Sequence, residues 1–285
     1  MAAKIIDGKK LSEKILLEAK EDAELLKKKG IVPCLAIVQA GNDSASEIYV
    51  RKKLEACKDS GLESRHIRLD EKISQEEIEG EVEKLNCDEK VHGIIVQLPL
   101  PRQIDTARIM GLVSKEKDVD GFNPYNNGMN FLEQPVFLPA TVKGIMHLIE
   151  SVCEIEGKHA VCVGTSNIVG KPTALMLLNS HATVTMCNKY TKNLAQYTKM
   201  ADILVVAVGK INLINAEMVK QGAIVIDAGI NRLPNGSIVG DVDFEKVKEK
   251  ASAITPVPGG VGPMTVACVV ENTVFAAKRI VEKKV

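Results

Sequence analysis

The chain has 285 residues, of which 45% are hydrophobic and 26% charged, an ordinary globular composition that suggests roughly two domains and excludes disorder of the whole chain. Lys plus Arg and Asp plus Glu number 37 each, so the formal net charge is zero and no basic excess advertises nucleic acid or an anionic membrane as partner. The start, MAAKIIDGKKLSEKILLEAK, is charged throughout and lacks the apolar core of a signal peptide, and the longest uncharged run, Ala251 to Val270, is broken by Pro and Gly. A soluble, cytoplasmic protein is expected.

Gly8 to Lys29 has the spacing of an amphipathic helix, with Leu11, Ile15, Leu16, Ala19, Ala23 and Leu26 on one side. Its Lys27-Lys28-Lys29 end, followed by Gly30, reads as a helix C-terminus rather than a binding patch, since cations favour that end and Gly stops it. Short apolar runs follow at 32–39, 64–69 and 92–98, separated by helical stretches. One helix covers about Ser44 to Ser60 and stops at Gly61; another opens with the capping box Ser74/Glu77. Strands alternating with helices imply βαβ units and a parallel sheet.

A Pro-, Gly- and Asn-rich passage from Gly121 to Pro139 marks a domain boundary. After a helix near Thr141 to Ser151, a second series of strands is expected at 159–164, 183–188, 202–209 and 223–229, and Asn235-Gly236 marks a tight turn or hairpin. The fold class is therefore α/β, with two α/β domains, the second a Rossmann-like parallel sheet. Seven cysteines at 34, 57, 87, 153, 162, 187 and 268 and five scattered histidines show no metal-ligand spacing, so no metal is expected.

The strand HAVCV runs into Gly164-Thr165-Ser166-Asn167-Ile168-Val169-Gly170 and then a helix. A strand, a glycine turn and a helix start form a pyrophosphate site, because free N–H groups and the helix dipole meet the anion while Gly lets the backbone approach. The spacing departs from G-x-G-x-x-G, with Ser166 at the second Gly and Gly170 one residue late, so a plain tight turn is the competing reading. The next strand ends in Cys187-Asn188-Lys189, with no acid for a ribose hydroxyl and a cation in its place. That favours a 2′-phosphate on Lys189, with Lys171 as a weaker second candidate, against a merely solvated Lys.

Ser46, Tyr49 and Lys53 fall at helical offsets of three and four and share a face. A Lys half-buried beside a Tyr suits proton transfer, and a snorkelling surface Lys is the bland alternative. Gln97 ends a strand before Pro99, where open parallel sheets bind ligands, and its amide can orient but not ionise. In Lys117-Asp118-Val119-Asp120-Gly121 either acid can cap a turn or accept from an amino-heterocycle. Three Pro and three Gly make Thr255 to Thr265 a rigid loop before a final helix at about 263–281.

SEIYVRKK, VQLPLP, KDVDGF, GTSNIVGKP, DAGIN, GDVDF and TPVPGGVGPMT, in this order along almost the whole chain, resemble the methylenetetrahydrofolate dehydrogenase/methenyltetrahydrofolate cyclohydrolase (FolD) family. The resemblance implies oxidation of 5,10-methylenetetrahydrofolate by NADP+ and hydrolysis of the methenyl product to 10-formyltetrahydrofolate in one-carbon metabolism. It implies a catalytic Lys53 assisted by Gln97, with Tyr49 on the folate and Asp120 on the pterin ring. Leu98, Pro258, Gly259 and Gly262 would line the substrate, and Gly164, Thr165, Ser166, Lys189 and Ile230 the cofactor. The implied layout is a folate-binding catalytic domain, 1–138 plus the last helix from about 264 to 285, and an NADP-binding domain, 139–263, with a cleft between them and a cytoplasmic homodimer as the assembly. Many members carry Arg where Thr165 stands, which keeps NAD open as the cofactor.

Overall fold

The structure is a computed structural model that describes residues 3–282. Its strands, in chain order, are β1 (Lys4–Ile5), β2 (Cys34–Ala40), β3 (Glu63–Leu69), β4 (Gly93–Val96), β5 (His159–Val163), β6 (Thr183–Cys187), β7 (Ile203–Val206), β8 (Ile224–Asp227), β9 (Asn231–Arg232), β10 (Ile238–Val239) and β11 (Ala253–Ile254). They form a three-stranded sheet in the order β3-β2-β4 and a six-stranded sheet in the order β1-β11-β8-β7-β5-β6. Every pairing in these two sheets is parallel. The chain divides into two compact units: Glu13–Ala140 together with the stretch from Val266 onward, and the residues up to Ser12 together with Thr141–Thr265.

In the first unit β2 is central, running from Cys34 opposite Glu63 to Ala40 opposite Leu69, with Leu35–Val38 opposite Gly93–Val96. Every residue of β2 is buried, which is why CLAIVQA reads as an apolar run, interrupted only by Gln39, rather than an alternating one. Its side chains still alternate between faces. Leu35 and Ile37 join a core with Val269, Val270 and Val274 of the final helix, whereas Cys34, Ala36 and Val38 join one with Ile78, Val82 and Leu85. Those last three sit on the helix Gln75–Cys87, which starts with the expected capping box of Ser74 and Glu77. The helix Ser44–Asp59 is capped by Asp43, whose side chain accepts from Ser46 N, and the chain turns away at Gly61 with φ +75°. At the end of the helix Gly8–Lys27, Lys27 Nζ meets Glu24 Oε1 at 2.7 Å and Gly30 takes φ +79°, as expected of a terminus. The final helix, Val261–Glu282, starts slightly earlier than the sequence suggests; Pro263 sits in its first turn, where a missing N–H costs nothing.

Two sequence expectations need correction. The expected first domain includes residues 1–12, but β1 pairs with β11, Lys4 opposite Ala253 and Ile5 opposite Ile254, so Ala3–Ser12 groups with the second unit. The passage 121–139, where the sequence places a domain boundary and no element, holds a helix, Pro124–Phe131, with Asn123 as its N-cap and Pro124 in its first turn. In the second unit β5 lies between β6 and β7, and the Asn235-Gly236 step closes the antiparallel hairpin β9–β10, with Gly236 at φ +83°. No helix among the described residues is long and apolar enough to cross a membrane.

Candidate active site

The helix Ser44–Asp59 presents the face that its spacing suggested. Ser46 and Lys53 are buried and Tyr49 half-buried, so the aliphatic stem of Lys53 does not snorkel to the surface: the residue is 5% exposed, between Val50 and Cys57 at 1% and 0%. Lys53 Nζ donates to Gln97 Oε1 at 3.2 Å. The other end of that amide is fixed as well, because Gln97 Nε2 donates to Leu98 O at 2.9 Å. The Ser46 hydroxyl lies 3.0 Å from the same carbonyl and 2.8 Å from Asp43 Oδ1. Gln97 itself is placed by its N–H on Val38 O at the end of β4, and the Leu98–Pro99 bond that follows is cis.

Asp120 belongs with this group. Burial pushes its carboxyl up, and the Lys53 charge pulls it back down. Burial also raises the Tyr49 phenol; the ammonium over its ring, at 6.0 Å from the centroid, is that of Lys52 rather than Lys53. A buried amine steered by an amide oxygen, with a carboxyl in its field and a phenol on the same helix face, can hold or pass a proton beside a bound heterocycle.

The two acids that the turn sequence alone leaves equivalent have different surroundings. Asp118 is buried and accepts from Phe122 N (3.1 Å), Asn123 N (2.8 Å) and Asn126 Nδ2 (2.8 Å), so it shapes the turn into the helix Pro124–Phe131. Lys117, also buried, donates to Leu85 O, Asn86 O and Asp88 O at the end of the helix Gln75–Cys87. Both side chains are committed to hydrogen bonds within the fold.

Burial lifts the Asp118 carboxyl to about 6, and Asp227 at the end of β8 likewise to about 6. A folded-state value above the unfolded one makes the contribution fully present below about pH 4 and lost as pH rises through about 6. Measured by urea denaturation, wild type should therefore gain stability relative to Asp118→Asn by about 1 kcal/mol as pH falls from 7 to 5. A difference that does not change over this range would contradict the assignment.

In the second unit the glycine loop leaves the carboxyl end of β5. Gly164 has φ +117°, and a Cβ there would lie 2.1 Å from Ala207 O; a Cβ on Gly170 would lie 2.2 Å from Gly164 O. Ser166, at the position of the missing second glycine, closes the loop: its Oγ accepts from Val169 N and Gly170 N, both at 3.2 Å. The N–H groups of Thr165 to Ile168 have no acceptor among the described residues. That is a cradle for an anion beside a helix start, formed by backbone that a side chain would block. Lys189 is exposed two residues beyond β6, 5.0 Å over the Tyr190 ring, whereas Lys171 is engaged with Asn167 Oδ1 at 2.7 Å. Ile230 is exposed after β8. Farther along, Pro258 follows a cis bond and is exposed, Gly259 has φ +110° and gives its carbonyl to Lys9 N at 3.1 Å, and Gly262 is half-buried at the start of the last helix. A Cβ on Gly8 would strike Gly260 O at 2.0 Å, so Gly8, which the sequence did not single out, lets the N-terminal helix meet this loop.

Two family descriptions match: the catalytic domain of tetrahydrofolate dehydrogenase/cyclohydrolase over residues 6–120, and the NAD(P)-binding domain of the same enzymes over 139–281. The chain is 53% identical to the bifunctional protein FolD of Nitrosospira multiformis, over 98% of this chain and 97% of the relative. Among solved structures, the bifunctional FolD methylenetetrahydrofolate dehydrogenase/cyclohydrolase of Campylobacter jejuni superposes with a TM-score of 0.96 at 50% identity, covering 98% of this chain and 100% of that one. The Trypanosoma brucei enzyme, solved with an NADP cofactor and an inhibitor, superposes with a TM-score of 0.95 at 37% identity, covering 99% of each chain.

Proposed function

The chain belongs to the tetrahydrofolate dehydrogenase/cyclohydrolase family, and from that premise we propose how its residues share the work. It is a bifunctional enzyme that oxidises 5,10-methylenetetrahydrofolate to the 5,10-methenyl compound and hydrolyses that compound to 10-formyltetrahydrofolate. The observation that carries the assignment of residues is the buried Lys53 amine directed by Gln97 Oε1.

Addition of water to the methenyl carbon requires a proton to leave the water and, on ring opening, a proton to reach the released nitrogen. We assign that transfer to Lys53 Nζ, which Gln97 holds in place without adding charge. The Asp120 carboxyl accepts from the amino edge of the pterin, as a carboxylate can do in two directions at once. Tyr49 lies against the folate, and Leu98, Pro258, Gly259 and Gly262 serve as further substrate contacts. In this reading the unit built on the three-stranded sheet holds the folate, the enzyme acts as a homodimer, and its place is the cytoplasm. Sedimentation at the mass of a single chain would reject the dimer.

The cofactor fits the second unit on the structure's own terms. The cradle at Gly164 is one that a Cβ would fill, and the N–H groups of Thr165 and Ser166 are open to a pyrophosphate. Ile230 flanks the dinucleotide, and the exposed Lys189 meets a 2′-phosphate, so the cofactor is NADP. When bound, the nicotinamide supplies the hydride acceptor for the oxidation. Initial rates on methylenetetrahydrofolate should favour NADP+ over NAD+. Lys189→Ala should raise the KM for NADP+ about 5- to 10-fold, the size of one exposed charge-assisted contact, and leave that for NAD+ unchanged. An unaltered KM for NADP+ rejects the contact.

A further inference from the structure

Two buried carboxylates that neither reaction uses stand behind the carboxyl edge of the six-stranded sheet. Asp227 ends β8 and Asp241 lies just beyond β10; they are 3% and 0% exposed. Asp227 Oδ1 accepts from Gly229 N (2.9 Å) and Asp241 N (3.1 Å), and its Oδ2 from Val242 N (2.9 Å). Asp241 Oδ2 accepts from Val208 N (2.7 Å) and Gly209 N (2.9 Å), and its Oδ1 from Lys210 N (2.8 Å) and Asn231 Nδ2 (2.8 Å). Glycine makes room for both groups. A Cβ on Gly240 would lie 1.9 Å from Asp227 Oδ2, and one on Gly229 would lie 2.2 Å from Asp241 Cγ.

The strap that Asp241 holds is exposed and borders the glycine loop. The strap Val208–Lys210 leaves the end of β7 directly after Ala207, the residue whose carbonyl abuts Gly164. Asn231 directly follows the exposed Ile230. Three successive N–H groups converge on Asp241, an arrangement that would otherwise bind an external anion. Because they are occupied from within, the strap offers a ligand its side chains and carbonyls, and the N–H groups left for a pyrophosphate are those of the loop after Gly164.

We propose that Asp241, itself anchored by Asp227, is the positioning residue of the dinucleotide site: it sets the strap Val208–Lys210 and the Ile230–Asn231 segment at the start of β9 in the shape that receives the cofactor. The proposal rests on the reading of this unit as the cofactor domain. Its sign separates it from a charge effect. Removing a negative charge near a polyanionic ligand strengthens binding by Coulomb's law alone. Asp241→Asn should instead weaken binding, because the amide turns a donor toward N–H groups that need an acceptor.

The test is a fluorescence titration of wild type and Asp241→Asn with NADPH, alongside the KM for NADP+ and the rate of methenyltetrahydrofolate hydrolysis, which needs no hydride carrier. Dissociation constant and KM should both rise at least about 10-fold, with kcat and the hydrolysis rate changed by no more than about 2-fold, as expected for loss of buried polar contacts that shape one site. NADPH bound as tightly as by wild type, or more tightly, overturns the proposal. So does a hydrolysis rate that falls in step with oxidation, which is the mark of a general loss of structure. If Asp241→Asn does not fold, Asn231→Ala removes one donor from Asp241 and should weaken NADPH binding by about 3-fold, roughly one modest hydrogen bond; no change there is equally fatal. A wild-type protein that fails to bind NADPH at all would sink the cofactor reading first and the proposal with it.

Discussion

Lys53→Met should lower the rate of methenyltetrahydrofolate hydrolysis by about 10²- to 10⁴-fold, the range that positioned proton transfer contributes to catalysis. The substitution suits the site, because Met matches the length of the buried stem and adds no polar atom to a helix face shared with Val50 and Cys57. The groups it leaves behind can adjust. Gln97 is half-buried and its Nε2 stays on Leu98 O, so Oε1 can turn to water rather than remain stranded. A urea midpoint near that of wild type is thus expected, and the loss of rate then belongs to the chemistry. The variant carries a second signature. The Lys53 charge holds the Asp120 carboxyl down against burial, so its removal lets that carboxyl rise further. Substrate binding should then weaken at a higher pH than in wild type when the pH is lowered, visible as an upward shift of the acid limb of kcat/KM. A variant that keeps a tenth of the wild-type hydrolysis rate would remove Lys53 from the proton path.

The ease with which these residues could be picked out depends on how local their determinants are. β2 declares itself because both faces are covered, which makes CLAIVQA apolar at every position but Gln39. Ser46, Tyr49 and Lys53 share a face by the helical repeat alone. The partner of Lys53 does not: Gln97 lies 44 residues away and reaches it only through the pairing of β4 with β2. The helix Pro124–Phe131 is hidden for another reason. Its inward positions include Asn126 and Asn130, at 0% and 2% exposure, so polar residues occupy the stripe where a hydrophobic repeat would be sought. β1 is two residues long with both side chains exposed, too short for any period, and backbone pairing alone assigns it to the second sheet. Asp118 and Asp120 are separated in the sequence only by the family resemblance, not by residue type or spacing. Three donors, from Phe122, Asn123 and Asn126, claim the first, while the field of Lys53 marks the second.

Gly164→Ala should abolish cofactor binding in practice, raising the dissociation constant for NADPH by about 100-fold or more and lowering Tm by roughly 6–12 °C, the equivalent of about 3 kcal/mol in a domain of this size. Two independent constraints meet at this residue. Its φ of +117° is one that an L side chain rarely adopts, and the added methyl would sit 2.1 Å from Ala207 O and 2.8 Å from Ala207 C, backbone atoms that cannot swing aside as a side chain could. Relief by moving the glycine loop breaks the bond from Gly164 N to Cys187 O (2.9 Å) and carries the open N–H groups of Thr165 to Ile168 away from the helix start. Relief by moving Ala207 instead drags the strap that Asp241 holds by three hydrogen bonds. Either path spoils the site for an anion while leaving Lys53, Gln97 and Asp120 untouched in the other unit. Hydrolysis of methenyltetrahydrofolate at a temperature well below the lowered Tm should therefore persist when NADP+-dependent oxidation is gone. A variant whose KM for NADP+ matches wild type would show that the pyrophosphate does not rest on this loop.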